Sequence, residues 1–251
     1  GEVPDPHTVT EQGARFKTHV LRGQNHGLFL DMAEGRRWVR NYAEARRQDR
    51  YGLKVLNLFG YTGVASLVAA AAGAEVTHVD ASKKAIGWAR ENQSLSRLDK
   101  APIRWICEDA MKFILREERR GHRYDIILTD PPKFGRGPNG EVWQLFDHLP
   151  LMLDICRELL APKAVGLVLT AYSIRASFYS IHELMRETMR GKGGLVESGE
   201  LVIREAGEAA AAIDEAVERA QDARPRAVIA AGPDSRLLRA VLEPWCPVPF
   251  V

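Results

Sequence analysis

Short apolar runs alternate along the chain with stretches of helical periodicity, and the clearest alternation begins at Lys54. Residues 54–59 are mostly apolar and contain neither glycine nor proline, which predicts a strand that is buried on both faces. The segment 60–63, which reads Gly-Tyr-Thr-Gly, follows as a tight turn, and apolar side chains then recur at helical spacing over residues 64–71. A buried strand, a glycine turn and a helix form the first half of a βαβ nucleotide-binding unit.

An acidic residue stands where such a unit would need one. The next apolar run, residues 75–79, ends on Asp80, at the position where an acid binds the ribose hydroxyls of an adenosine cofactor. The turn has the spacing G-x-x-G instead of the G-x-G-x-x-G of dinucleotide sites, and glycines alone are equally typical of any tight β–α connection. Together with Asp80, the turn favours a nucleoside cofactor.

The same alternation of strand and helix continues toward residue 185. Three predicted strands end on acids, at Asp80, Asp109 and Asp130, and the carboxyl ends of parallel strands meet at one edge of a sheet. We therefore predict an α/β fold with an open, doubly wound, mostly parallel sheet, in which residues 57–62 and the three acids line one crevice. The later predicted strands cover residues 103–107, 124–129 and 165–170, and the helices cover 82–97, 110–115, 149–160 and 178–185.

The chain before residue 51 is predicted to be a small N-terminal β-hairpin and helix extension. Polar and apolar residues alternate over 15–21, and a short apolar run at 28–31 follows a glycine-bounded turn. A helix is predicted over 33–50, with Trp38 and Tyr42 on one face. Residues 1–14 have no apolar period and are expected to be irregular.

Two other segments carry turn or composition signals. Residues 135–140 contain three glycines and a proline and are expected to form a mobile loop. The stretch 209–224 predicts an alanine-rich helix within a divergent tail, 207–251. The predicted domains are an extension over 1–50 and a main domain over 51–251.

Composition excludes several classes of protein. With 251 residues and 45% hydrophobic content, the chain can bury the core of one large domain with an appendage. It contains no run of about 18 apolar residues, so we expect no membrane span. The three cysteines Cys107, Cys156 and Cys246 are far apart, which supports neither disulfides nor a zinc site and favours a reducing cytoplasm.

Charge leaves the partner open. A net charge of +2 does not by itself indicate nucleic acid. Between residues 11 and 50, nine Lys/Arg stand against five Asp/Glu, an excess of +4. This excess fits either a solvated helix face or a basic rim that meets phosphates.

Taken together, these segments resemble the class I S-adenosylmethionine-dependent methyltransferases, which have a Rossmann-like fold. Residues 56–63 resemble the first motif of that fold, and Asp130-Pro131-Pro132-Lys133-Phe134 resembles the fourth motif of bacterial large-subunit rRNA methyltransferases. The nearest subgroup contains the enzymes that make 5-methylcytosine and 7-methylguanine in 23S rRNA, and its Gly-Leu/Tyr-Phe-Leu-Asp element resembles residues 27–31. The resemblance covers roughly residues 11–205.

The resemblance implies S-adenosyl-L-methionine as cofactor, S-adenosyl-L-homocysteine as product, and RNA, specifically rRNA, as partner, with no metal. The early element departs from the family after Asp31, so that only Asp31 and Arg36 are carried over from it. The implied target site is Asp130, Pro131, Pro132, Lys133 and Phe134. The implied cofactor site consists of Phe29, Asp31, Arg36, Asn57, Phe59, Gly60, Tyr61, Thr62, Gly63, Asp80, Ala81, Ser82, Asp109 and Ala110.

The cysteine positions bear on which atom receives the methyl group. Methylation of pyrimidine C5 requires a thiolate that first attacks the ring, and the family's C5 enzymes place that cysteine after the fourth or fifth strand. Here those positions read Asp-Pro-Pro-Lys at 130–133 and Thr-Ala-Tyr-Ser at 170–173. The sequence therefore favours methylation of a nitrogen, where Asp130 and the backbone carbonyls near Pro131 are candidate acceptors and Phe134 a candidate stacking partner.

Other functions stay open at this stage. A methyltransferase acting on a small molecule or a protein is the alternative within the class. An NAD-linked oxidoreductase shares the βαβ start, although the absent third glycine and the Asp-Pro-Pro segment count against it. A catalytically idle cofactor-binding or RNA-binding module is the third possibility.

Overall fold

The computed structural model describes residues 5–21, 26–49, 52–172, 177–201 and 226–232, and a seven-stranded sheet lies at its centre. Two small antiparallel hairpins stand beside this sheet. In chain order the elements are β1 (His7–Glu11), β2 (Ala14–Thr18), a 3-10 turn (Leu30–Met32), α1 (Ala33–Ala45), β3 (Lys54–Leu58), α2 (Val64–Ala71), β4 (Glu75–Asp80), α3 (Lys83–Leu95), β5 (Ile103–Cys107), α4 (Ala110–Arg119), β6 (Ile126–Thr129), β7 (Phe134–Arg136), β8 (Val142–Gln144), α5 (Leu145–Leu159), β9 (Gly166–Ala171), α6 (Phe178–Thr188), β10 (Leu195–Leu201) and β11 (Arg226–Gly232).

The strand order fixes where a ligand can enter. The sheet runs β10-β11-β9-β6-β3-β4-β5, and the five strands from β9 to β5 run parallel to one another. The chain moves outward from β3 to β5 and then returns to β6 on the other side of β3. In such sheets ligands bind at this switch point, beyond the carboxyl ends of the strands. The predicted doubly wound, mostly parallel sheet is confirmed.

Alternate residues of the parallel strands divide the core between the two faces of the sheet. Val55 and Ile126 pack with α1 and α2, whereas their neighbours Leu56 and Ile127 pack with α4 and α5. All four side chains are fully buried. This two-sided burial explains why β3 reads as a continuous apolar run.

The N-terminal hairpin lies earlier in the chain than the pattern predicted. Strand β1 lies within residues 1–14, which were expected to be irregular, and it pairs antiparallel around Gln12 and Gly13 with β2, which falls mostly within the strand predicted over 15–21. The second predicted strand, 28–31, is wrong, because Leu30 begins a 3-10 turn that leads directly into α1. The hairpin packs through Phe16 against Leu67 and Val68 of α2.

Two further expectations need correction. The mobile loop predicted over 135–140 is wrong at Gly135 and Arg136, which belong to β7, whereas the residues that follow form the turn of the β7–β8 hairpin. Helix α1 ends at Ala45, short of the predicted residue 50. The alanine-rich helix predicted over 209–224 lies outside the described residues. After that segment, β11 returns between β9 and β10 and pairs antiparallel with both.

Candidate active site

A cavity of about 300 Å³ lies at the switch point of the sheet. It is bounded by the carboxyl ends of β3, β4, β5 and β6, by the β7–β8 hairpin, and by the segment before α1. The structure therefore brings together residues that are far apart in the sequence, in agreement with the prediction that they line one crevice. The predicted site residues that line it are Phe29, Phe59, Tyr61, Asp80, Ala81, Ser82, Asp109, Ala110, Asp130 and Pro132.

Asp80 organises the glycine turn. Its carboxylate accepts hydrogen bonds from the backbone N–H groups of Tyr61 and Ser82, both at 2.8 Å. Burial raises the pKa of Asp80, and these two donors partly oppose that rise. Since Tyr61 has a φ of 50°, the bond to Asp80 helps to hold a backbone conformation that few side chains adopt. Asp80 is thus placed at the cavity and also shapes its wall.

Gly60 is needed at its position because a side chain would meet a buried ring. A Cβ added there would lie 2.3 Å from His78 Cε1. The His78 ring is fully buried, and its Nδ1 lies 2.9 Å from the hydroxyl oxygen of Ser66. Burial lowers the pKa of His78 to about 3, so the ring is neutral at physiological pH.

A second, smaller cavity of about 80 Å³ adjoins the first. Asn57, Gly60, Thr62 and Arg36 contribute to its wall. The two cavities share one set of lining residues, which marks the boundary between them: Phe29, Phe59, Tyr61 and Asp130.

Several predicted cofactor residues already bond to other parts of the protein. The Thr62 hydroxyl donates to the carbonyl of Gly27 at 2.6 Å, and Asn57 donates to Ser66 at 2.9 Å. The buried Arg36 guanidinium forms two bonds to the Glu11 carboxylate, at 2.6 and 2.7 Å. Of these contacts, the bond from Thr62 to Gly27 ties the N-terminal extension to the glycine turn.

The remaining predicted residues occupy different positions. Asp109 is the N-cap of α4, since its Oδ1 accepts the N–H of Lys112 at 3.0 Å. Pro131 is buried, whereas Lys133 and Phe134 are exposed, Phe134 to 55%. Five predicted residues line neither cavity: Asp31, Gly63, Pro131, Lys133 and Phe134.

Trp143 is a cavity residue that the sequence did not indicate. It lies in β8, is 4% exposed, and packs its ring against Phe59 with centroids 5.1 Å apart. Its indole N–H donates to the carbonyl of Pro132 at 2.6 Å. Tyr172 also lines the cavity. No strand was predicted at residues 142–144, because they follow the loop predicted over 135–140.

Several basic residues of the segment 11–50 form ion pairs, although their partners Glu11, Glu34 and Glu44 are already counted in the excess of +4. Arg36 pairs with Glu11, and on the surface of α1 Arg40 pairs with Glu44 four residues later, at 2.5 Å. Arg37 similarly pairs with Glu34 at 2.9 Å. These pairs favour the interpretation of a solvated helix face over that of a basic rim.

Cys107 and Cys156 are the two cysteines among the described residues. Cys107 ends β5, and its thiol lies 3.7 Å from the carbonyl oxygen of Ala81. Cys156 is completely buried on α5, where burial raises the pKa of its thiol to about 12. Neither cysteine lines either cavity. Cys246 lies outside the described residues.

Over residues 5–21, 26–49, 52–172, 177–201 and 226–232, no helix has both the length and the apolar character needed to cross a bilayer. Within the same ranges, no group of three or more His, Cys, Asp or Glu side chains is arranged to hold a metal ion.

Comparison with known proteins places this arrangement in a family. The model of one protein family, described as S-adenosylmethionine-dependent methyltransferase, matches residues 1–195. A solved structure of an S-adenosylmethionine-dependent methyltransferase from Agrobacterium tumefaciens is 60% identical in sequence. That alignment covers 93% of this chain and 72% of the other, with a TM-score of 0.81.

Two curated relatives are named as ribosomal RNA methyltransferases. Ribosomal RNA large subunit methyltransferase I of Aeromonas salmonicida is 35% identical over 136 residues, which are 53% of this chain and 33% of that protein. Ribosomal RNA large subunit methyltransferase K/L of Hahella chejuensis is 37% identical over 161 residues, 63% of this chain and 21% of that protein. The chain thus spans a third or less of the length of these relatives.

Proposed function

The chain belongs to the S-adenosylmethionine-dependent methyltransferase family, and we propose that it methylates a nitrogen of a ribosomal RNA base without a covalent cysteine intermediate. The observation that carries this proposal is the position of Asp130. It follows β6 at the switch point and lines both cavities, at the boundary between them. An acceptor at that boundary suits a reaction in which a cofactor and a target base meet.

The larger cavity fits the adenosine part of the cofactor. Asp80 presents a partly buried carboxylate at the end of β4, which suits the ribose hydroxyls, while Asp109 and Ala110 follow β5 beside it. The smaller cavity, lined by Gly60 and Thr62, suits the methionine end. Bound S-adenosylmethionine supplies a methyl group activated by a sulfonium. The residues of the chain then have to orient the two partners and keep out water.

The target side requires an acceptor and a stacking surface. An exocyclic amine has N–H groups that Asp130 can accept, and a ring nitrogen such as guanine N7 has a lone pair that needs no activation. The exposed Phe134 is available to stack on a base that has left its helix. Both kinds of nitrogen therefore agree with the proposal.

The names of the curated relatives support RNA as the substrate, and a small molecule or a protein is the alternative. Deleting the gene and mapping the methyl groups of total RNA tests this choice. We expect one nitrogen-methylated base of rRNA to disappear and to return when the gene is restored. Loss of a methyl group from a protein or a metabolite, with rRNA unchanged, would refute the RNA assignment. A cytoplasmic location stays a prediction that accompanies it.

Replacing Asp80 with alanine is expected to weaken binding of S-adenosylhomocysteine by about 30- to 150-fold. This corresponds to about 2–3 kcal/mol for a charge-assisted pair of ribose contacts. Isothermal titration measures the affinity, and Asp154→Ala on the exposed side of α5 is the control. Unchanged affinity in Asp80→Ala, or tight NAD binding by the unaltered protein, would contradict the assignment of this carboxylate.

Changing Cys107, Cys156 and Cys246 together to alanine is expected to leave methyl transfer per folded molecule within about twofold, since no thiolate is required. The buried Cys156 fills core space, so its loss should lower stability by about 1–3 kcal/mol. Activity is therefore measured against the folded fraction determined by circular dichroism.

The same proposal is checked with RNA that contains 5-fluorocytosine, which traps enzymes that attack the pyrimidine ring. We expect no covalent complex on a denaturing gel, with an established C5 enzyme as the positive control. A trapped complex that disappears when one cysteine is changed would show that carbon is the target.

A further inference from the structure

Trp143 contacts both Phe59, at the boundary of the two cavities, and the Asp-Pro-Pro turn. Its ring packs on Phe59, which follows β3 and lines both cavities, and its indole N–H reaches the carbonyl of Pro132 at 2.6 Å. The indole also stacks on His148 of α5, with centroids 5.4 Å apart and planes inclined by 29°. The side chain is therefore held by two ring contacts and one hydrogen bond.

The bond to Pro132 is important because of the segment that it restrains. The turn contains two consecutive prolines, which have no N–H groups and cannot anchor themselves by donating backbone hydrogen bonds. One anchor is the bond from the N–H of Leu145 to the carbonyl of Lys133, at 3.0 Å. Trp143 supplies an anchor one residue closer to Asp130 and engages a carbonyl of the Asp-Pro-Pro turn itself.

The hairpin that carries Trp143 is also fixed independently. Glu141 forms an ion pair with Lys112 of α4, and the β7–β8 ladder joins Gly135 to Trp143. The location of the indole thus does not depend on the Pro132 bond alone. Loss of the N–H group should release the turn while the ring stays in place.

We propose that Trp143 is a positioning residue that orients the Asp130-Pro131-Pro132 turn toward the target base. This inference rests on the proposed function of Asp130 as an acceptor at the target. Trp143 acts through the Pro132 carbonyl and does not itself contact the reacting atoms. Trp143 also lines the cavity assigned to adenosine, so the loss of its N–H group should lower turnover much more than cofactor affinity.

The test compares two variants, in each of which one tryptophan loses a single N–H···O hydrogen bond. Trp143→Phe removes the bond to Pro132, and the matched control Trp105→Phe removes a bond of 2.9 Å to Gln93 on the outer strand β5. Methyl transfer is measured with radiolabelled S-adenosylmethionine and rRNA from the deletion strain, and cofactor affinity by titration with S-adenosylhomocysteine. We expect kcat to fall at least about tenfold in Trp143→Phe alone, with Kd and KM within about threefold.

A kcat within about twofold of the unaltered protein in Trp143→Phe, or a fall matched by equal weakening of the cofactor, would overturn the inference. Should Trp143→Phe fold poorly, benzothienylalanine at position 143 keeps the indole shape and replaces only the N–H group by sulfur. A nearly unchanged kcat, or an equal weakening of the cofactor, would overturn the inference for this variant too.

A second measurement is independent of the substrate. The carboxyl 13C resonance of Asp130 should shift in Trp143→Phe and stay in place in Trp105→Phe, because only the first variant frees the turn. An unmoved resonance in both variants would refute the positioning role. If the unaltered protein does not methylate rRNA, the proposed function fails, whereas this resonance still decides the role of Trp143.

Discussion

Replacing Asp130 with alanine is expected to lower kcat by about 10²- to 10³-fold, the range typical of a lost acid–base or acceptor group. The affinity for S-adenosylhomocysteine should stay within about threefold, because Asp80, and not Asp130, is assigned to the ribose. Asp130 follows a buried strand at the boundary of the two cavities, so its removal should not disturb the sheet. Single-turnover methylation of rRNA measures the chemical step directly.

Two variants sharpen this result. Asp130→Asn keeps the shape and one acceptor oxygen, and it should retain more activity than Asp130→Ala if hydrogen-bond acceptance matters more than charge. Asp147→Ala, on the exposed first turn of α5, is the control for loss of a surface carboxylate. If Asp130→Ala loses cofactor affinity in proportion to turnover, Asp130 is a cofactor ligand and its assignment to the target is wrong.

Replacing Gly60 with alanine is expected to destabilise the protein by about 3 kcal/mol, which lowers Tm by roughly 6–12 °C. The added methyl group would lie 2.3 Å from His78 Cε1 and 3.0 Å from Asn57 Nδ2. His78 is fully buried and bonded to Ser66, so its ring cannot withdraw without breaking that contact. Thermal unfolding followed by circular dichroism measures the effect.

Gly87→Ala is the matched control, because it makes the same chemical change on the surface of α3. A Cβ at Gly87 has no atom within 4 Å, and this substitution should be neutral or stabilise the helix by about 0.5–1 kcal/mol. In a His78→Ala background the cost of Gly60→Ala should shrink, because the clashing ring is absent. Equal Tm values for Gly60→Ala and the unaltered protein would show that the turn relaxes freely.

The parallel sheet could be predicted because strands that are buried on both faces appear in the sequence as continuous apolar runs. Strand β5 was predicted at residues 103–107 and is found there, and β3 differs from its prediction only at Phe59. Phe59 has a φ of 56°, a local backbone conformation that an apolar run does not signal. Burial on both faces makes such strands recognisable in the sequence, whereas the residue at which each strand ends depends on the geometry of the following turn.

The antiparallel hairpins could not be predicted in the same way. In β1 no residue is fully buried, so its pattern lacks an apolar period. Strands β7 and β8 have three residues each and surround glycines that are typical of loops. Their pairing depends on contacts with distant elements, such as the ion pair between Glu141 and Lys112.

The same distinction holds for the candidate site. Asp80, Asp109 and Asp130 follow strands, so their convergence could be predicted from the topology alone. Trp143 reaches the cavity from a hairpin that the sequence did not indicate, and its role depends on the Pro132 carbonyl. Thr62 illustrates the converse, since its place in the turn was predicted but its bond to Gly27, 35 residues earlier, was not.

The contacts of the N-terminal hairpin have a consequence for the order in which the chain can fold. The N–H of Lys17 bonds to Asn92 at 2.9 Å, and that of Arg15 bonds to Ser96 at 2.8 Å, across 75 and 81 residues. During synthesis, the hairpin thus has to wait for helix α3 before it can dock. Closing so long a loop is slow, and the extension should gain protection from hydrogen exchange only after the βαβ unit has formed.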